Sequence, residues 1–153
     1  MDRNYLLTTA GLISQVSNKA YDEYLQKSEQ LVSQLNLLML GREDINELIG
    51  EKNILMMQDN HSNHARFIAS ILKYYNPEVF VDTVLWVFRA YRSHGFTTNY
   101  WASQLNNWIW LLKQNLTENS YNEIYPYYEW MQINIPIFVN VSDSQLDLPN
   151  PLH

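Results

Sequence analysis

The sequence predicts an all-α domain. Apolar residues recur at helical spacing along most of its 153 residues, the four Gly and five Pro stand mainly between those stretches, and no segment shows the two-residue alternation of a half-buried strand. An apolar fraction of 46% with only 17% charged residues is enough for one real core.

Taken in order, positions 2–17 read as a short, weak helix. Positions 20–40 are stronger, with Tyr21, Tyr24, Leu25, Leu31, Val32, Leu35 and Leu38 near a helical period, and Gly41 stops them. Asp44 and Glu47 have capping-box spacing and open a short turn through Ile49. The next helix spans about 52–75 on a seam of Ile54, Met57, His61, His64, Ile68, Ile71 and Tyr75. Its middle is polar (Asp59, Asn60, Ser62, Asn63), so a kink or break is expected there.

The segment Asn76 to Phe96 organises the rest. Asn76 caps, Pro77 suits the first helical position, Glu78 complements the dipole, and Gly95 offers a left-handed stop. Phe80, Val84, Val87 and Tyr91 form one apolar row and Val81, Leu85 and Phe88 another, which marks an interior helix. Asp82, Trp86 and Arg89 share a different strip, and an acid, a flat ring and a guanidinium there need partners.

Thr97 or Thr98 caps a helix to about Asn115, with Trp101, Leu105, Trp108 and Leu112 on one face. Thr117 caps the next, which carries Tyr121, Ile124, Tyr125, Tyr128 and Met131, with Pro126 as a kink or restart and Pro136 as the close. The Phe138-Val139-Asn140-Val141 segment is too short to be assigned as a strand. Positions 1–140 therefore form a single helical domain, and 141–153, polar with two prolines, read as a linker to a following segment.

Net charge is −6 and the five Lys are scattered, which argues against nucleic acid or an anionic membrane as partner. No apolar run reaches spanning length and no signal peptide is visible, so a cytoplasmic location is expected. There is no Cys, hence no disulfide, thiolate metal site or thioether. Nucleophile elbows and phosphate loops are missing, and no general acid and base pair can be placed, so an enzyme ranks last.

His61 and His64 lie three apart and can share a helical face, with His94 or Asp82 as the nearest thought for a third ligand, but the spacing matches no metal signature. The plainer reading is two hydrogen-bonded core histidines. The aromatic fraction of 14%, including eleven Tyr and five Trp, also suits a flat conjugated ligand. A tetrapyrrole needs ring walls, a polar group at its centre and cations for two propionates. Trp86, Trp101 and Trp108 can supply walls, Asp82 can accept from pyrrole N–H groups, and Arg66, Arg89 and Arg92 can hold carboxylates. Against this stands a solid core of tryptophans, with Arg89 simply paired to Asp82 or another acid.

The run Asn63-His64-Ala65-Arg66-Phe67, then Val79-Phe80-Val81-Asp82-Thr83-Val84-Leu85-Trp86, then Tyr91-Arg92-Ser93-His94-Gly95, then the Tyr-rich helix, resembles the N-terminal helical domain of certain bacterial cobalamin-binding sensor proteins. Among these are the photocobilins. The resemblance covers about 45–140. It implies a globin-like, phycobiliprotein-like fold of about six to seven helices that holds a bilin such as biliverdin, here without a covalent link. It also implies a cobalamin-binding or output module after Leu152, outside this chain.

The expected function is therefore a non-covalent bilin-binding photosensory domain. Asp82 with His61 or His64 faces the pyrroles, Arg66, Arg89 and Arg92 hold propionates, His94 lies at the rim, and the tryptophans form the walls. On that reading Asp82→Ala shifts the pigment's absorption. The alternatives are a ligand-free dimerisation or docking module and a histidine-ligated haem sensor.

Overall fold

In the computed structural model, which describes residues 1–143, the chain is all-α. Eight helices occur among the described residues: α1 (Arg3–Ala10), α2 (Asn18–Leu40), α3 (Ile45–Ile49), α4 (Ile54–Lys73), α5 (Pro77–Arg92), α6 (Thr98–Asn115), α7 (Glu118–Ile133) and α8 (Ile135–Asp143).

Capping chemistry sets most of these bounds. Asp2 accepts from the Tyr5 N–H, Ser17 from that of Ala20, Thr97 from that of Tyr100, and Asn76 from those of both Glu78 and Val79. Two expected caps are not made. Arg42 takes both carboxylate oxygens of Asp44, at 2.9 and 3.0 Å, so the capping box before α3 does not form. A two-pronged guanidinium outcompetes a single backbone N–H. Thr117 turns its hydroxyl to Glu23 on α2 at 2.9 Å, and its N–H bonds the same carboxylate. The cap of α7 thus becomes a tie to α2.

Three further differences from the sequence reading matter. The first helix ends at Ala10, with Gly11 as its cap, rather than at 17. Helix α4 runs unbroken through its polar middle because that polarity is used: buried Asn60 accepts from Tyr100 Oη at 2.7 Å and Gln104 Nε2 at 3.0 Å. Pro136 opens α8 instead of only closing α7, since a proline in the first turn of a helix forfeits no intrahelical bond. Helix α8 carries the domain to Asp143, past the expected boundary at 140. The rest of the expected linker, 144–153, lies outside the described residues.

Helix α2 is the spine on which α4, α6 and α7 rest, whereas α5 packs on α1 and α8. Helices α4 and α5 follow one another in sequence yet make little backbone packing with each other. Phe80 on α5 meets Phe67 of α4 and Tyr75 of the turn that joins the two helices, with ring centroids 6.2 and 5.9 Å apart. Away from that end the helices diverge. No helix of the described residues is long and apolar enough to cross a membrane.

Candidate functional site: a ring-walled cleft between α4, α5 and α6

The divergence leaves a half-open cavity of about 270 Å³. Helix α4 contributes Asn60, Asn63, His64 and Phe67, α5 contributes Val84, Trp86, Val87 and Tyr91, and α6 contributes Trp101, Gln104 and Leu105. Met131 of α7 and Ile135 and Phe138 of α8 close the floor. A more open hollow of about 510 Å³ lies between positions 9–16 and α7, with Glu123 and Glu129 at its edge. Glu123 is already occupied there by the N–H and hydroxyl of Ser17, at 2.7 and 2.9 Å. The cleft is the more ligand-like of the two, because its walls are apolar with a few polar atoms converging on it.

Those polar atoms lack protein partners. The indole N–H groups of Trp86 and Trp101 and the amide oxygen of Gln104 are buried without a hydrogen bond among the described residues. Buried polar groups are normally satisfied, so three orphans on residues lining one cavity point to something that completes them. The Trp108 N–H and His61 Nε2 are orphaned as well, behind the lining.

Of the ten residues singled out from sequence, three line the cleft: His64, Trp86 and Trp101. Trp108 is fully buried and supports His64 from behind, with ring centroids 4.9 Å apart. His61 faces α2: its Nδ1 lies 2.6 Å from Asn36 Oδ1, and its ring stacks on Tyr100. An amide oxygen only accepts, so the His61 proton is assigned to Nδ1.

The remaining five stand outside the lining. Asp82 is exposed and bonded to Arg3 of α1 at 2.7 and 2.8 Å. Arg92 ties the end of α8, reaching Asp143 Oδ1 at 2.7 Å and Ser142 Oγ at 3.2 Å. Arg66 is exposed and donates to Asn63 Oδ1. Arg89 is half-buried, and His94 is exposed in the corner after α5. The shared strip of Asp82, Trp86 and Arg89 explains part of this. At about 100° per residue, Trp86 sits about 40° round the helix from Asp82 and about 60° from Arg89. A large ring at the strip's edge reaches the cleft, and the two charges beside it do not. The face turned to the cavity is the row Val84, Val87 and Tyr91, whose half-burial is its signature.

Burial holds both helix-α4 histidines neutral. It pushes His61 down to about 3, and it pushes His64 down to about 3 with the neighbouring His61 adding to the effect. Burial also raises Tyr128 well above the usual phenol range, with Tyr24 beside it contributing. Among the described residues no group of three His, Cys, Asp or Glu side chains could hold a metal ion. The cleft can therefore bind an apolar body and exchange hydrogen bonds with it, but its described lining residues offer no charge.

Sequence reasoning missed Asn60, Asn63, Phe67 and Gln104 as lining residues. The available signal was a Gln at 104 between Trp101 and Trp108, an amide on the apolar face of α6.

No family model matches the chain, and no curated protein and no solved structure matches it.

Proposed function

We propose that this chain is a ligand-holding sensor domain that takes a linear tetrapyrrole of the biliverdin type, without a covalent link, in the cleft between α4, α5 and α6. One observation carries the reading: a cavity walled by rings whose buried indole N–H groups, on Trp86 and Trp101, have no partner among the described residues. The reading also draws on the likeness of positions 45–140 to the photocobilin helical domain, whose globin-like fold is part of the same proposal. The site differs from the sequence expectation in its polar contacts. Indole N–H groups, His64 and Gln104 meet the pigment inside, and its propionates stay on the open side towards solvent. At about 270 Å³ the cavity is smaller than the roughly 300–1,000 Å³ typical of small-molecule pockets, so uptake of the pigment requires α5 and α8 to move outward. Isomerisation of the bound pigment changes which helix packing is preferred, and α8, which forms the floor, carries that change towards the C-terminal tail.

The test is a visible spectrum of the purified protein titrated with biliverdin. A shifted, sharpened band that saturates at one pigment per chain supports the proposal, and a free-pigment spectrum at stoichiometric protein rejects it.

A second reading rests on a different observation. Leu37, Leu40, Leu55 and Trp110 are exposed, at 72, 38, 76 and 54%. Exposed apolar side chains at the end of α2, the start of α4 and on α6 suit an interaction module that dimerises or docks on an output domain. A colourless preparation whose sedimentation shows a concentration-dependent dimer favours it.

A further inference from the structure

We infer that Tyr128 sets the tautomer of His64 and so makes the His64 Nδ1–H a hydrogen-bond donor from α4 to a carbonyl oxygen in the cleft. The ligand half of this inference rests on the proposed function, and the tautomer half does not.

Three groups form a buried line from α2 to the cleft. Tyr24 and Tyr128 are fully buried, and their hydroxyl oxygens lie 2.8 Å apart. Tyr128 Oη is also 2.9 Å from His64 Nε2. Tyr24 has no other side-chain partner among the described residues, so its proton has one acceptor within reach, the Tyr128 oxygen. If Tyr128 donated to Tyr24 instead, the Tyr24 proton would be buried with nothing to bond, at a cost of about 1–3 kcal/mol. The arrangement that satisfies all three runs one way: Tyr24 donates to Tyr128, and Tyr128 donates to His64 Nε2. A neutral imidazole that accepts at Nε2 carries its proton on Nδ1. His64 Nδ1 has no hydrogen bond among the described residues, and His64 lines the cleft.

This adds a third donor to the two orphaned indole N–H groups, against one orphaned acceptor, the Gln104 oxygen. Among the described residues no Lys, Arg, Asp or Glu lines the cleft. The buried part of the ligand is therefore an uncharged planar body that presents a carbonyl oxygen able to accept from more than one donor and one N–H. The lactam end ring of a linear tetrapyrrole has that pattern, whereas a carboxylate or phosphate would lie there without a cation. Tyr128 acts through His64 and is a positioning residue.

The experiment has two arms. In the first, long-range proton–nitrogen correlation on the ¹⁵N-histidine-labelled, pigment-free protein reports the His64 tautomer, with the signal assigned by its loss in His64→Gln. The wild type and Tyr24→Phe are expected in the Nδ1–H form, since Tyr128 still has only His64 to donate to. The Tyr24→Phe/Tyr128→Phe double variant removes the donor without orphaning a buried hydroxyl, and the Nε2–H form is expected to appear. A wild type in the Nε2–H form, or a double variant with an unchanged tautomer, overturns the inference. In the second arm biliverdin is titrated into each protein. His64→Leu and the double variant are expected to bind roughly tenfold more weakly, and Tyr24→Phe as the wild type does. Equal binding by the double variant overturns the donor role. A wild type that takes up no biliverdin rejects the proposed function instead, and the first arm still decides the tautomer.

Discussion

The guanidinium of Arg3 holds the carboxylate of Asp82, 79 positions away, through two hydrogen bonds of 2.7 and 2.8 Å. The pair fastens α1 to the outside of α5, and Glu78 adds a longer contact to Arg3 at 3.6 Å. The hydrogen bond that Arg3 donates to Asp82 outweighs desolvation and raises the guanidinium above its usual range. The acid that seemed free to meet a ligand is thus engaged in holding two helices together. Asp82→Asn is expected to leave a bound pigment's spectrum unchanged, contrary to the sequence-based expectation for this position. It should lower stability by less than about 1 kcal/mol, because both partners are 40% or more exposed, and the loss should shrink in high salt. Urea melts at two salt concentrations, with the pigment spectrum alongside, check this.

Filling and polarity of the cleft can be separated. Val84→Phe places bulk in the cavity and is expected to block pigment uptake while the fold stays intact. Trp86→Phe keeps most of the ring and removes an N–H that has no protein partner, so stability should hold or rise slightly while pigment binding weakens. Thermal melts of the pigment-free proteins, paired with titrations, separate the two effects.

Acid should loosen the domain through His61 and His64. Both have folded values near 3 against an ordinary 6.5, so below pH 6.5 the unfolded chain takes up protons that the folded one refuses. Their contribution is whole above pH 6.5 and drains away as pH falls towards 3. By pH 5 the loss is about 2 kcal/mol for each histidine. Urea unfolding at pH 7.5 and 5 measures it, and His61→Gln or His64→Gln should flatten the slope between those points.

The corner after α5 depends on backbone handedness. Gly95 has φ +100° and sits against Gly50, with φ +84°, while Asn53 Nδ2 donates to the carbonyls of Ile49 and His94 to lock the approach. Gly95→Ala is expected to cost about 1–2 kcal/mol from the positive φ alone. A matching loss in the urea midpoint checks it, with amide exchange expected to rise first in this corner.

Periodicity made most of the helices legible, and Asn76-Pro77 and Gly95 marked the ends of the central one correctly, because a cap is a local event between a side chain and the backbone beside it. The misplaced caps at Asp44 and Thr117 have the opposite origin. In each case a group outside the helix, Arg42 or Glu23, took the side chain first. Helix α8 escaped notice because it opens on the apolar run Ile135 to Val139, and a short apolar run does not declare its period.

The site was legible in its rings and obscure in its charges. Trp86, Trp101 and His64 could be picked out because a large ring or an imidazole on an apolar seam is already anomalous within one helix. Where Asp82 and Arg92 turn could not be read, since Arg3 and Asp143 reach them from distant parts of the chain.

By itself the sequence determined the all-α class, the positions of most helices and the surplus of rings, all of which follow from spacing and side-chain type within a few turns. Only the tertiary structure decided that α4 and α5 splay apart, that Asp82 and Arg92 are tied to Arg3 and Asp143 instead of lining the cavity, and that a line of hydroxyls ends on His64. Those outcomes depend on which groups meet across tens of residues, and a one-dimensional pattern carries no distance between them.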